Sequence, residues 1–284
     1  MINLSRRNFV KTSLVAASAL TLKPSLYAAS KKLPIALQLY SVRGDCAKDV
    51  DAAFAQVAKM GFQGVEFAGY YKYGGKAKEL RAKLDDLNLK VAATHIGTGS
   101  FIGDTLKKTI EFHQTIGCKF LIVPGDNAFT DPEKSKALAE TFNKTAEVLK
   151  PLGMACGYHN HTGEFKKNPE GKTYYDLFAE RTTKDVVLQQ DCGWTAAAHY
   201  DPVEMMKKYP GRMKSTHFKP TVVSGGKKAY IGEDGIDWVA VYAACCDIGG
   251  TEWVTLEQEA YPDGKTPMEA TQISFEALKK IVAG

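Results

Sequence analysis

The chain has 284 residues, 44% of them hydrophobic and 24% charged, with 25 glycines and 11 prolines. That balance excludes disordered, collagen-like and membrane-embedded chains and leaves room for one large domain or two modest ones. Four of the five formal positive charges lie in the first 29 residues, where Arg6, Arg7, Lys11 and Lys23 face no acid; the remaining 33 basic and 32 acidic residues, a balance of +1, offer no general attraction to a phosphate backbone.

The N-terminal segment Ser5-Arg6-Arg7-Asn8-Phe9-Val10-Lys11 precedes an apolar stretch from Leu14 to Leu22 and small residues around Ala28 and Ala29. A basic head, a short apolar run and an Ala-rich exit predict an export signal over residues 1–29, too short to span a bilayer. The paired arginines resemble the twin-arginine signal, which implies export of the folded chain to the periplasm. No cysteine follows closely, so no stable membrane anchor is expected. The six cysteines, Cys46, Cys118, Cys156, Cys192, Cys245 and Cys246, form no C-x-x-C pair and read as buried free thiols.

From residue 33 onward, apolar runs alternate with amphipathic segments. Strands are predicted at Ile35–Tyr40, Gly64–Phe67, Lys90–His95, Phe120–Val123, Ala155–His159, Val186–Asp191, Met213–Phe218 and Trp253–Glu257. Their near-continuous apolarity suits a parallel sheet covered on both faces. Helices are predicted at 49–60, 76–87, 105–116, 174–181 and 237–248. Further helices follow Asp131-Pro132, Asp201-Pro202 and Thr266-Pro267, each an N-cap before a proline at the first helical position. Eight such units predict an α/β fold, a single-domain (β/α)₈ TIM barrel over residues 30–284. No Gly-x-Gly-x-x-Gly follows the first strand, so no dinucleotide site is expected. The long connection Pro220–Gly235 is a candidate lid or substrate loop.

In such a barrel, polar residues at strand C-termini face the catalytic mouth. Those ends carry Gln38 and Tyr40, Glu66, His95, Asp126, His159 with His161 and Glu164, Asp191, His217 with Lys219, and Glu257 with Glu259. Converging carboxylates repel unless a cation lies between them. Three carboxylates and an imidazole suit one divalent ion, Mn²⁺, Co²⁺, Mg²⁺ or Fe²⁺ at least as well as Zn²⁺.

The runs Tyr158-His159-Asn160-His161-Thr162-Gly163-Glu164-Phe165, Asp191-Cys192-Gly193-Trp194, His217-Phe218-Lys219, Gly232-Glu233-Asp234-Gly235-Ile236-Asp237-Trp238 and Glu257-Gln258-Glu259 together resemble the sugar phosphate isomerase/epimerase family of xylose isomerase-like TIM barrels. The resemblance implies a divalent metal on Glu164, Asp191, His217 and Glu257, with His159 or His161 as alternatives to Glu164. It gives Glu164 and Glu257 the acid and base roles. Glu66, His95, His159, His161, Trp194 and Lys219 are the expected substrate contacts.

The expected reaction begins with proton abstraction next to a carbonyl. Isomerisation or epimerisation is ranked first, with β-elimination from a 3-keto-glycoside, by a lyase or hydratase, as the alternative. A non-catalytic sugar-binding barrel is the third reading. Sugar phosphates are cytoplasmic, so export points to an unphosphorylated sugar or keto-sugar. The expected partner is a small carbohydrate and not a nucleic acid; a homodimer is left open.

Overall fold

The near-continuous apolar runs form the eight strands of the fold. The computed structural model describes residues 32–284, so the twin-arginine segment lies outside the described residues. The strands are β1 (Ile35–Gln38), β2 (Gly64–Phe67), β3 (Lys90–His95), β4 (Phe120–Val123), β5 (Ala155–His159), β6 (Val187–Gln189), β7 (Ser215–Phe218) and β8 (Trp253–Leu256). All neighbours pair in parallel, in the order β6-β5-β4-β3-β2-β1-β8-β7. The seam between β6 and β7 closes at a single bridge, Asp191 to His217, and the His217 N–H donates to the Gln190 carbonyl at 2.8 Å. The expected TIM barrel is therefore the observed fold, and its last junction is made by two candidate ligands.

Ten helices surround the strands: α1 (Arg43–Lys48), α2 (Val50–Met60), α3 (Ala77–Asp86), α4 (Gly103–Ile116), α5 (Lys134–Leu149), α6 (Tyr174–Arg181), α7 (Cys192–Ala197), α8 (Pro202–Lys208), α9 (Trp238–Ala244) and α10 (Pro267–Ala283). Alternation alone predicts eight; α1 and α7 are short extra turns. Two of the three expected caps are present; at the third, Asp131 accepts from the Glu133 and Lys134 amides, but α5 begins at Lys134, past Pro132. Asp201 accepts from the Val203 and Glu204 amides, and Thr266 forms a capping box with Glu269. No described helix is long and apolar enough to cross a membrane. All six cysteines are free, and only Cys246 is not fully buried.

Residues facing the helices, such as Leu37, Val65, Phe67, Leu121, Val123, Leu188, Phe218, Val254 and Leu256, belong to the main apolar core. The barrel interior is a separate, graded column. Ala93, Phe120, Ile122 and Val187 plug its lower end together with Ala155 and Trp253. Gly64 is required there, because a Cβ would lie 2.9 Å from the Trp253 ring. Above the plug the interior turns polar, with Gln38, Glu66, Gln189, Ser215 and His217 all fully buried. The inner face of the strands is thus apolar in its lower part and carries the chemistry only above the plug.

The connection after β7 is a folded wall. Asp234 accepts from the Thr221 N–H and the Trp238 indole, and its carbonyl accepts from the Val223 N–H. None of its residues lines the central cavity.

Candidate metal centre

Each strand end places one side chain over the polar layer. Asp191 follows β6 and caps α7, with Oδ1 accepting from the Trp194 N–H at 2.7 Å. Gly193 permits that turn: a Cβ there would lie 2.0 Å from the Lys219 carbonyl oxygen. His217 ends β7, Glu257 follows β8 and His159 ends β5.

Donor atoms of His159, Asp191, His217 and Glu257 lie within 4.8 Å of one another, all buried. His217 Nδ1 is 2.9 Å from Glu257 Oε2, and its Nε2 is 2.7 Å from Glu66 Oε1. Asp191 Oδ2 is 3.8 Å from His159 Nε2 and 3.9 Å from His217 Nδ1. It is buried and has no hydrogen-bond partner. A buried carboxylate oxygen left without a donor, facing two imidazoles and a second carboxylate, is the environment a cation relieves.

The electrostatics of the protein alone carry the same tension. Burial and the Glu257 carboxylate raise Asp191 to about 7, against the pull of Lys219 and His217. Burial opposes charge on His217, yet Glu66 and Glu257 raise it to about 10. Burial likewise opposes ionisation of Glu257, but His217 and Lys219 hold it at about 2. Desolvation, reinforced by His217 and His95, keeps His159 well below the ordinary imidazole range. A neutral imidazole and an unpaired carboxylate oxygen are both free to act as ligands.

Glu164 stands apart from this cluster. It lies in a 3₁₀ turn, Gly163–Phe165, that folds it back. Its Oε2 accepts from the His161 N–H at 2.8 Å, and its Oε1 faces the Tyr158 hydroxyl at 3.5 Å. His159, one of the two alternatives, occupies the fourth corner. Glu66 also stands apart from the cavity: it lies one layer lower, where Gln38, His95, His217, Gln189 and Ser215 surround its carboxylate.

A cavity of about 370 Å³ opens above the cluster, lined by Tyr40, His95, His159, His161, Glu257 and Glu259 among others. Lys219 is buried beside it, paired with Glu259 and 5.0 Å from the Trp194 ring centroid. Burial works against its charge, but Glu257 and Asp191 raise the ammonium pKa above its ordinary value. Trp194, an expected substrate contact, packs 5.8 Å from the His161 ring but lies outside the cavity lining.

Gln189 and Ser215 escaped the sequence reading. The signal was present, since each lies two residues before a candidate ligand on the same inward face of its strand. A polar side chain on an otherwise apolar barrel strand marks the buried layer beneath a site.

The profile of the xylose isomerase-like TIM barrel family matches residues 54–281. The inosose dehydratase of Geobacillus kaustophilus strain HTA426 is 24% identical over 273 residues, 82% of this chain and 87% of its own. A sugar phosphate isomerase/epimerase from Parabacteroides distasonis ATCC 8503 superposes with a TM-score of 0.74 at 28% identity, covering 87% of this chain and 98% of that one. The IOLI protein, solved with a zinc atom bound, shares the fold with a TM-score of 0.65 at 14% identity, covering 88% of this chain and 98% of its own.

Proposed function

The chain belongs to the xylose isomerase-like TIM barrel family, and from that premise we propose that it is a metal-dependent lyase that eliminates water or an alcohol β to the carbonyl of an unphosphorylated keto-sugar or keto-cyclitol. The unpaired Asp191 Oδ2 at the centre of the four-donor cluster carries the metal assignment. His159, Asp191, His217 and Glu257 would hold one divalent ion. When bound, the ion supplies positive charge that favours loss of a proton beside a carbonyl.

Glu257 is the carboxylate facing the cavity from the cluster, so it is the base that takes the α-proton. The electron pair left behind expels the β-oxygen. His161 lines the same cavity and is the group that hands a proton to the departing oxygen. Lys219, kept cationic beside Glu257, balances the negative charge that develops on the substrate.

Two observations favour elimination over epimerisation. Epimerisation across both faces of a carbon needs a second base, and the Glu164 carboxylate is turned toward the His161 amide instead. Inosose dehydratase, the activity named for the Geobacillus kaustophilus relative, is itself an elimination. The neutral substrate follows from charge: Glu257 and Glu259 line the cavity, and Lys219 is already paired with Glu259. A phosphate would meet these two carboxylates, and among the described residues no lysine or arginine lines the cavity.

The test is to incubate metal-loaded protein in D₂O with a keto-cyclitol and a 3-keto-glycoside, following mass and ¹H spectra. Loss of water or alcohol is expected, and Glu257→Gln should slow it about 10²–10⁴-fold while metal is retained. Deuterium at the α-carbon without elimination would make the enzyme an epimerase. Neither change on any substrate would leave a binding barrel.

A further inference from the structure

The buried layer below the cluster contains a hydrogen-bond chain that constrains the proton positions of two histidines. Glu66 is fully buried and is the acceptor-only member, because Gln38 Nε2, His95 Nε2, His217 Nε2 and Ser215 Oγ all converge on its two carboxylate oxygens. Gln189 lies 2.9 Å from Glu66 Oε2 through Nε2, which also reaches Ser215 Oγ at 3.0 Å. The opposite amide orientation would press a carbonyl oxygen against that carboxylate, so Nε2 faces Glu66 and Oε1 faces the histidines. Gln189 Oε1 is then 2.8 Å from His95 Nε2 and 3.1 Å from His159 Nδ1. A carbonyl oxygen only accepts, so a ring nitrogen that faces it must bring a hydrogen; His95 Nε2 shares its own between Gln189 Oε1 and Glu66 Oε1, both at 2.8 Å. His159 Nδ1 must therefore carry a proton, which leaves Nε2 as a bare lone pair 3.8 Å from the unpaired Asp191 Oδ2. Glu66 acts on the second imidazole directly, since the His217 Nε2–H donates to it and leaves Nδ1 toward Glu257 and Asp191.

We infer that Gln189, locked in orientation by Glu66, is a positioning residue that fixes His159 in its Nδ1–H tautomer and so makes it a metal ligand through Nε2. Glu66 and Gln189 do not line the cavity; they decide which nitrogen of each of two histidines faces the cluster. The energetic reason is general. An imidazole whose far N–H is held by a buried acceptor loses neither ring orientation nor tautomer when it binds, and removing such an acceptor costs about 10–100-fold in metal affinity. This inference rests on the metal reading proposed above, and its test separates the two.

The six histidines can be labelled with ¹⁵N and the tautomer of each read from its ring nitrogen shifts, with His159→Gln identifying one set of signals. The wild type before metal addition should show His159 protonated at Nδ1 and pyridine-like at Nε2. Zn²⁺ should then shift the Nε2 signal. Gln189→Met, which keeps volume but removes the acceptor, should lower Zn²⁺ affinity about 10–100-fold in a chelator competition and let the Nε2–H tautomer appear. Ser215→Ala, which leaves the Glu66 lock in place, should keep affinity within about twofold of wild type, a change well under 1 kcal/mol. An Nε2–H tautomer in the wild type overturns the inference without reference to any variant. A folded Gln189→Met with unchanged Zn²⁺ affinity also overturns it. Wild-type protein that shows the Nδ1–H tautomer but takes up no metal overturns the metal reading and the ligand role of His159, while leaving the lock itself standing.

Discussion

Asp191 shows how one side chain serves two opposed demands. Its Oδ1 caps α7, a stabilising role that any acceptor fills, while Oδ2 is left in the cluster without a donor. Its carboxyl is raised from the ordinary 3.8 to about 7, so in the metal-free protein ionisation is penalised by the fold. The sign follows from linkage. A carboxyl with a raised folded pKa contributes stability below its unfolded value and loses it as pH climbs to the folded one. Asp191→Asn keeps the cap acceptor and removes the penalty. The metal-free variant should therefore melt above metal-free wild type at pH 8, with the difference vanishing by about pH 4, close to the unfolded carboxyl value. With Zn²⁺ or Mn²⁺ added the order should reverse, because the variant has lost a charged ligand. Thermal melts at two pH values, with and without metal, check both signs. A variant that melts lower than wild type in the metal-free state would show that the carboxylate is a structural asset.

At the scale of elements, the junction that matters is the one between β6–α7 and β7. The backbone of α7 comes so close to the end of β7 that Gly193 has no space for a side chain: Lys219 O and Thr221 Oγ1 would lie 2.0 and 2.7 Å from a Cβ. The same junction carries the Asp191–His217 bridge that closes the barrel. Gly193→Ala should force the two strand ends apart, with a cost of about 1–3 kcal/mol typical of overpacking. Because those ends hold two candidate ligands, it should also weaken metal binding. Gly163→Ala is the matched control, since nothing lies within 4 Å of its Cβ position and its φ is ordinary. It should stay within about 0.5 kcal/mol of wild type. Denaturant melts and metal titrations of the two variants test the contrast; equal loss in both would mean that the tight junction is not what holds the cluster. The sequence reading located the Asp191-Cys192-Gly193-Trp194 run but could not say why glycine stands there. That reason is a contact with Lys219, 26 positions away and just past the end of β7.

For the whole molecule, the four candidate ligands come from four different strand ends, β5 to β8, and the metal would tie together the half of the barrel that includes its weakest seam. A ligand that binds only the native state stabilises by about 2.7 kcal/mol when present at 100 times its dissociation constant. For a domain of this size that corresponds to a rise in Tm of about 5–10 °C. Thermal melts against a series of divalent ions should show such a rise for the preferred ion. Asp191→Ala should abolish it without unfolding the chain. A flat response to every ion would argue that the polar column is only a structural core. The graded interior, apolar below and polar above, also makes the molecule directional, because every candidate functional group sits at the C-terminal end of the strands.

Some of this was legible in the residues themselves. Near-continuous apolar runs mark each strand to within two residues, the Asp201-Pro202 and Thr266-Pro267 pairs mark two helix starts, and Asp191, His217 and Glu257 are recognisable as polar ends of apolar runs. All of these are local properties, set by short apolar runs and by capping within a few residues. What the sequence left open was height and direction inside the barrel. Glu66 reads as a strand-end carboxylate like the others, yet it lies one layer down, facing His217 across 151 residues and Gln189 across 123. Likewise Glu164 and His159 both follow from one strand, and only a 3₁₀ turn that bends Glu164 back to the His161 amide leaves the fourth corner to His159. The stagger of neighbouring strands around a closed barrel sets how far each inward side chain stands along its axis. That stagger belongs to the closure of the whole sheet, so the tertiary structure alone decided which polar residues meet in the cavity and which lie beneath it.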